Sequence, residues 1–187
     1  MLDNKMLDNV VTEETRGKFL RDGFLLVHNL LDHNEVTKLR ECLEASEDIQ
    51  KHAYGRSDGM GAASKLAIWN MAGDDVSGLV ARSEKIAGTM EMLLGGEEIY
   101  HYHSKLMMKE PKTGGAHLWH QDYGYWYENG ILTPDMGSVF IPVDKCTKNN
   151  SCLQVLKGSH KMGRIDHFLI GDQSGADPER VEAAKQR

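Results

Sequence analysis

The order of periodicities along the chain predicts an α+β fold, with helices packed around an antiparallel sheet system. Stretches with helical spacing come first, and stretches with the two-residue alternation of strands come after them. About five strand candidates follow, short of the eight in a complete double-sheet jelly roll.

The elements read as follows. Thr12 caps a helix that runs through Phe19 and Leu20 to about Asp22-Gly23, where glycine ends it. Phe24-Leu25-Leu26-Val27 is a short apolar strand. Asp32 followed by Glu35 forms a capping box for the next helix, with Val36, Leu39 and Leu43 on one face. The run from His52 to Gly61, rich in Gly, Ser and Asp, reads as a long surface loop. Trp69 and Asn70 lead into a helix striped by Leu79, Ile86, Met90 and Leu93 and ended by Gly95-Gly96. From Glu98 the period changes. Ile99 to Lys109 reads as a long strand, Gly114-Gly115 as a turn, and the segment after it as another strand. Ser138 to Val143 and Cys152 to Leu156 complete the strand candidates, with Pro142 near the end of the first. Asn149-Asn150 and Lys157-Gly158-Ser159-His160 are turns, and Arg164 to His167 reads as a loop. Asp177-Pro178 starts a last helix through Val181 and Ala184, with a cap and then proline at the first helical position.

At 187 residues the chain fits one domain with a sizeable core. A content of 40% hydrophobic and 27% charged residues argues against global disorder. The net charge of −6 offers no attraction to phosphate backbones, so nucleic acid is not expected as a partner. Cys42, Cys146 and Cys152 are odd in number and form no Cys-x-x-Cys pair, which points to a reducing compartment. No run approaches a membrane span. Asp3 and Asp8 stand where a signal peptide needs positive charge and then an apolar stretch, so a cytoplasmic location is expected. Residues 1–11, with Met-Leu-Asp-Asn at both Met1 and Met6, read as a disordered start.

The densest chemistry lies in His117-Leu118-Trp119-His120-Gln121-Asp122-Tyr123-Gly124-Tyr125-Trp126-Tyr127. On a strand, His120 and Asp122 point to the same face and supply an imidazole and a carboxylate to one metal ion. Mixed nitrogen and oxygen donors with open positions suit ferrous iron in a two-histidine, one-carboxylate site. A His-x-Asp triplet is short, so a polar surface segment and a metal site both stand as readings of these residues alone. His101 and His103 fall on one face of the preceding strand, which suits either a site wall or a half-buried polar face. His160 and His167 read as turn and loop residues rather than ligands.

Three segments carry a resemblance. Trp119-His120-Gln121-Asp122-Tyr123-Gly124-Tyr125-Trp126 resembles the metal-binding motif of the phytanoyl-CoA dioxygenase family. Asn149-Asn150-Ser151-Cys152-Leu153-Gln154-Val155-Leu156-Lys157-Gly158-Ser159-His160 is similar to that family's Asn-Gly-x-Leu-x-Val-x-Pro-Gly-Ser-His segment, with Lys157 in place of proline. Asp22-Gly23-Phe24 resembles the family's N-terminal signature. The segments come in family order, and the closest likeness is to members near the proline and ectoine hydroxylases.

The resemblance implies a double-stranded β-helix, or jelly roll, with N-terminal flanking helices, using Fe(II) and 2-oxoglutarate to hydroxylate a small molecule at an unactivated carbon. His120 and Asp122 would be two of the three metal ligands. Lys105 and His103 align with positions that contact 2-oxoglutarate or substrate. Trp126 aligns with an aromatic that packs against substrate, and core packing is the competing reading. Asp122 favours hydroxylation over halogenation, since related halogenases lack this carboxylate. The family's third ligand is a later histidine, followed by an arginine that binds 2-oxoglutarate. It normally follows a Pro-Gly-Asp turn, a pattern not found up to Arg187. The expectation is therefore a domain over residues 12–187 that lacks its C-terminal strands, inactive by itself and prone to self-association through an open sheet edge. The alternative is a non-catalytic jelly-roll binding module.

Overall fold

A computed structural model describes residues 10–186. Most of the start expected to be disordered, residues 1–9, lies outside the described residues. At its end Val11 is 7% exposed, and the Val10 carbonyl accepts a hydrogen bond from Thr15 Oγ1.

The chain forms two compact units. The first comprises residues 10–52, 68–105 and 137–145. Its helices begin where the sequence places caps. In α1 (Glu13–Asp22), Thr12 and Thr15 form the reciprocal capping box, and Gly23 closes the helix at φ 82°. In α2 (His33–Ala45), Asp32 and Glu35 do the same, and Leu39 and Leu43 are buried. A cap of this kind contributes about 1 kcal/mol by satisfying amides that the first turn leaves open. After the short α3 (Glu47–His52), the unit continues with α4 (Val76–Arg82), a π turn (Glu84–Gly88) and α5 (Thr89–Leu94).

The single helix expected over this last stretch is thus three pieces, divided where Ser83 adopts extended backbone. The break rotates the stripe: Ile86 and Leu93 are buried, while Leu79 is 58% exposed. Gly95, at φ 124°, ends α5 as the sequence indicated. Lys85 Nζ reaches both carboxylate oxygens of Glu35 at 2.7 Å, tying the π turn to the start of α2.

The second unit comprises residues 53–67, 106–136 and 146–186 and carries most of the sheet structure. Strands β1 (Tyr54–Ser57), β2 (Ala63–Trp69) and β3 (Ser104–Met108) form a sheet in that order. β1 and β2 are an antiparallel hairpin with Tyr54 opposite Leu66 and Ser57 opposite Ala63. The expected loop from His52 to Gly61 is therefore corrected to a helix end, a strand and a tight turn. Its polarity belongs to the turn, where Asp58 accepts from the amides of Met60 and Ala62. A second hairpin pairs β4 (His167–Ile170) with β5 (Gln173–Ala176) around Gly171-Asp172. α7 (Pro178–Lys185) follows, capped by Asp177, and packs on β5 through buried Val181.

The α+β class holds, but five strands lie among the described residues and only β3 falls within a stretch the sequence marked as one. Phe24 to Val27, Ser138 to Val143 and Cys152 to Leu156 are extended or irregular backbone outside any ladder. Alternation describes one chain, whereas a strand needs a neighbouring backbone at hydrogen-bonding distance. Leu26 is 71%, Phe140 52% and Leu153 53% exposed. The long strand expected from Ile99 shrinks to Ser104–Met108, so His101 and His103 precede it rather than sharing its face.

Candidate metal centre

The segment leading to the motif lies in the second unit and is held extended without being a strand. Gly114 bridges Ala63 in parallel, and the Gly115 amide donates to the Ala63 carbonyl at 2.9 Å. A Cβ on Gly115 would lie 2.8 Å from Ala63 N, so only glycine permits this approach. The Ala116 amide donates to Asp58 Oδ2 at 3.2 Å. Gln173 is 2% exposed and works as a clamp: its Nε2 donates to the Ala116 carbonyl at 2.9 Å, and its Oε1 accepts from the Leu118 amide at 3.1 Å. The Ala176 amide donates to the Trp119 carbonyl at 2.8 Å. A side-chain amide thus supplies the pairing that a sheet neighbour would otherwise give.

A second glutamine grips the motif itself. Gln121 Nε2 donates to the Gly163 carbonyl at 2.8 Å, and its Oε1 accepts from the Ile165 amide at 3.0 Å. The Gln121 backbone amide donates to His167 Nε2 at 3.0 Å, and His167 Nδ1 lies 2.8 Å from the Ile165 carbonyl. A carbonyl only accepts, so His167 carries its proton on Nδ1 and its Nε2 is the acceptor. Burial lowers the His167 pKa from its ordinary value, which keeps the ring in this neutral state.

The sequence predicts a loop at His167. The structure corrects this: it opens β4, half buried against the motif. Gly124 allows that proximity, since a Cβ there would overlap the Ile165 carbonyl and come within 2.7 Å of the His167 ring.

His120 and Asp122 do not share a strand. His120 and Gln121 are outside any element, Gln121 with extended backbone (φ −117°, ψ 120°), and Asp122 is the first residue of α6 (Asp122–Trp126). The switch from extended to helical backbone nevertheless brings the two side chains together, with His120 Nε2 3.3 Å from Asp122 Oδ1. His120 Nδ1 lies 2.8 Å from the Leu118 carbonyl and so carries a proton. In the neutral ring the Nε2 lone pair then faces a carboxylate oxygen. Two acceptors at that distance are satisfied by a shared cation, either a proton or a metal ion. Donors about 2.1 Å from one ion and at right angles to each other lie about 3.0 Å apart, close to the separation here. The Leu118 carbonyl also fixes the ring orientation in the manner usual for metal-bound histidine. The pair therefore fits a metal ion.

The other expected site residues are more dispersed. Trp126 lies four residues after Asp122 and shares its side of the short helix, stacked edge-to-face on Tyr125 at 4.6 Å. Lys105 is exposed on β3, and His103, just before β3, is half buried; both belong to the first unit. His160 is exposed in the 3-10 turn Ser159–Lys161. Among the described residues no group of three His, Cys, Asp or Glu gathers to hold a metal.

Sequence reasoning missed Asp58, Gln121, Gly124, His167 and Gln173 as the framework of the site. One signal was present: Gly171-Asp172 between Phe168-Leu169-Ile170 and Gln173 is a two-residue hairpin turn, and Gly171 adopts φ 58° there.

The profile of the family described as Phytanoyl-CoA dioxygenase (PhyH) matches residues 19–186. The L-proline trans-4-hydroxylase of Streptomyces griseoviridis is 31% identical over 154 residues, covering 82% of this chain and 57% of that protein. The ectoine dioxygenase of Stutzerimonas stutzeri is 29% identical, covering 81% of this chain and 51% of that protein. A probable alpha-ketoglutarate-dependent hypophosphite dioxygenase, also from Stutzerimonas stutzeri, is 26% identical over 82% of this chain. The chain spans about half the length of the curated relatives it matches. A match that runs from within α1 into α7 and takes in both glutamine clamps and the His120–Asp122 pair establishes that the chain belongs to the phytanoyl-CoA dioxygenase family.

Proposed function

We propose that this chain carries two metal ligands of an Fe(II)- and 2-oxoglutarate-dependent dioxygenase that hydroxylates a small molecule. The observation that carries the reading is the convergence of the His120 Nε2 lone pair on Asp122 Oδ1 at 3.3 Å, with Nδ1 held by the Leu118 carbonyl. Family membership and relatives named for proline, ectoine and hypophosphite support it.

His120 and Asp122 would hold Fe(II) in a jelly-roll domain with N-terminal flanking helices. Iron with 2-oxoglutarate supplies the oxidising power that replaces C–H by C–OH. The residues of the chain supply position. The Leu118 carbonyl orients the imidazole, and the start of α6 aims the carboxylate at it. Lys105 and His103 are proposed to contact 2-oxoglutarate, and Trp126 to offer substrate an aromatic face. Their support is the resemblance of the sequence to the family.

Cobalt(II) titration followed by visible absorption tests the metal site. The wild-type chain is expected to bind, and His120→Ala or Asp122→Ala to weaken binding by more than the about 10–100-fold lost with an outer-shell partner. Equal binding by all three proteins would refute the metal site. Succinate release with Fe(II), 2-oxoglutarate and a panel of amino acids, cyclic amines and acyl-CoAs tests turnover. Succinate that disappears in Asp122→Ala supports the oxygenase. Metal uptake with no succinate from any substrate is the expected result for a dioxygenase chain inactive by itself and for the binding module alike, and a Pro-Gly-Asp turn followed by two histidines and an arginine further along the same transcript would decide for the oxygenase.

A further inference from the structure

We propose that His167 is a positioning residue for the metal site, acting through the backbone amide of Gln121 to set the bite between His120 and Asp122. This rests on the metal-site reading above. Gln121 is the only residue between the two ligands, so its backbone torsions decide whether an imidazole and a carboxylate two residues apart converge. With an extended Gln121 and a helical Asp122, the side chains meet at 3.3 Å. Three hydrogen bonds fix that residue to 163–167. They are the Gln121 amide to His167 Nε2 at 3.0 Å, the Gln121 carboxamide to the Gly163 carbonyl at 2.8 Å, and the Ile165 amide to the Gln121 carboxamide at 3.0 Å.

The His167 contact is the one that grips the main chain. It needs an acceptor at the Nε2 position, and the Nδ1 bond to the Ile165 carbonyl at 2.8 Å supplies it by holding the proton on the other nitrogen. The Gln121 amide occupies the Nε2 lone pair, which sets His167 apart from the ligands: as arranged, its acceptor serves the backbone and not a metal. Gly124 completes the device, because any side chain there would push the His167 ring away from α6.

The experiment compares wild type with His167→Phe, His167→Gln and Gln121→Leu in the full 187-residue chain. Cobalt(II) affinity and the cobalt absorption spectrum are read together with melting temperature. His167→Phe keeps a ring without an acceptor and is expected to weaken cobalt binding about 10-fold and alter the spectrum. His167→Gln, whose carboxamide oxygen reaches near the Nε2 position, is expected to restore most of the affinity. Gln121→Leu, which removes the two carboxamide bonds and leaves the backbone amide, gives an intermediate loss and an independent answer should His167→Phe not fold. A residue that served stability alone would lower melting temperature in His167→Phe while folded protein kept wild-type affinity and spectrum, and that result overturns the proposal. Failure of His167→Gln to recover affinity that Phe loses also overturns it. A wild-type chain that takes up no cobalt removes the metal site, and this inference with it, and is distinguishable from both.

Discussion

Residues 116–122 and residues 152–156 lie in the same unit, and both carry the alternation of a strand, yet neither is one. They differ in what meets their backbone. The backbone of the first segment is bonded from outside at four of its seven residues, by Asp58 and Gln173 at Ala116, by Gln173 at Leu118, by Ala176 at Trp119 and by His167 at Gln121. The second is held near its ends, where Cys152 N donates to Thr147 O and Ser159 N to Leu156 O, and it shows Leu153 and Val155 at 53% and 47% exposure. Extended conformation is common to both. Rigidity belongs to the segment whose amides and carbonyls have partners from outside it, and the candidate ligands sit on that segment.

The largest contrast is expected at Gln173. Replacing it with leucine leaves the Ala116 carbonyl and the Leu118 amide without their partner, at about 1–3 kcal/mol for each buried group left unsatisfied. Leu153→Ser in the other segment is expected to change stability by no more than about 0.5 kcal/mol, as for other surface positions. Urea unfolding of the two variants checks this. Equal stabilities would show that the glutamine clamp does not distinguish the two segments.

The same comparison shows what was legible. The caps of α1, α2 and α7 stood in the sequence because Thr12, Asp32 and Asp177 act within a turn of their own position. The pairing of His120 with Asp122 was also legible, although it arises from a switch of extended to helical backbone rather than from a shared strand face. Gln121 and Gln173 were not, because each acts on backbone more than 40 residues away. A polar residue beside an aromatic run carries no mark of the carbonyl it will meet. For the same reason β1 hid inside a turn-rich run, and Cys152 to Leu156 carries the alternation of a strand but pairs with no neighbour among the described residues.

An intermediate effect is expected in solution behaviour. We propose that the exposed apolar side chains of the second segment favour self-association, since uncovered apolar surface is where copies of a chain meet. Sedimentation velocity across a concentration series is expected to show association of the wild type that falls in Leu153→Ser/Val155→Ser. Unchanged sedimentation in the double variant would locate the contact elsewhere or remove it.

The smallest effect is expected at low pH and tests the anchored segment at its entry. Asp58 is 3% exposed, and its carboxyl is held below the ordinary carboxylate value, first by the Met60 amide and then by those of Ala116 and Ala62. A folded-state value below the unfolded one of about 3.9 means that the unfolded chain binds the proton more readily. The contribution of Asp58 is therefore complete above about pH 4 and is lost as pH falls through the folded-state value. Asp58→Asn replaces an acceptor oxygen with a donor that cannot take the same amides, so its melting temperature at pH 7 is expected to lie below that of wild type. The gap is expected to narrow as pH drops from about 5 toward 3, because protonation then removes from the wild type what the substitution has already removed from the variant. Melting curves that run parallel over that window would show that the carboxylate is not what holds the β1–β2 turn to the segment leading into the site.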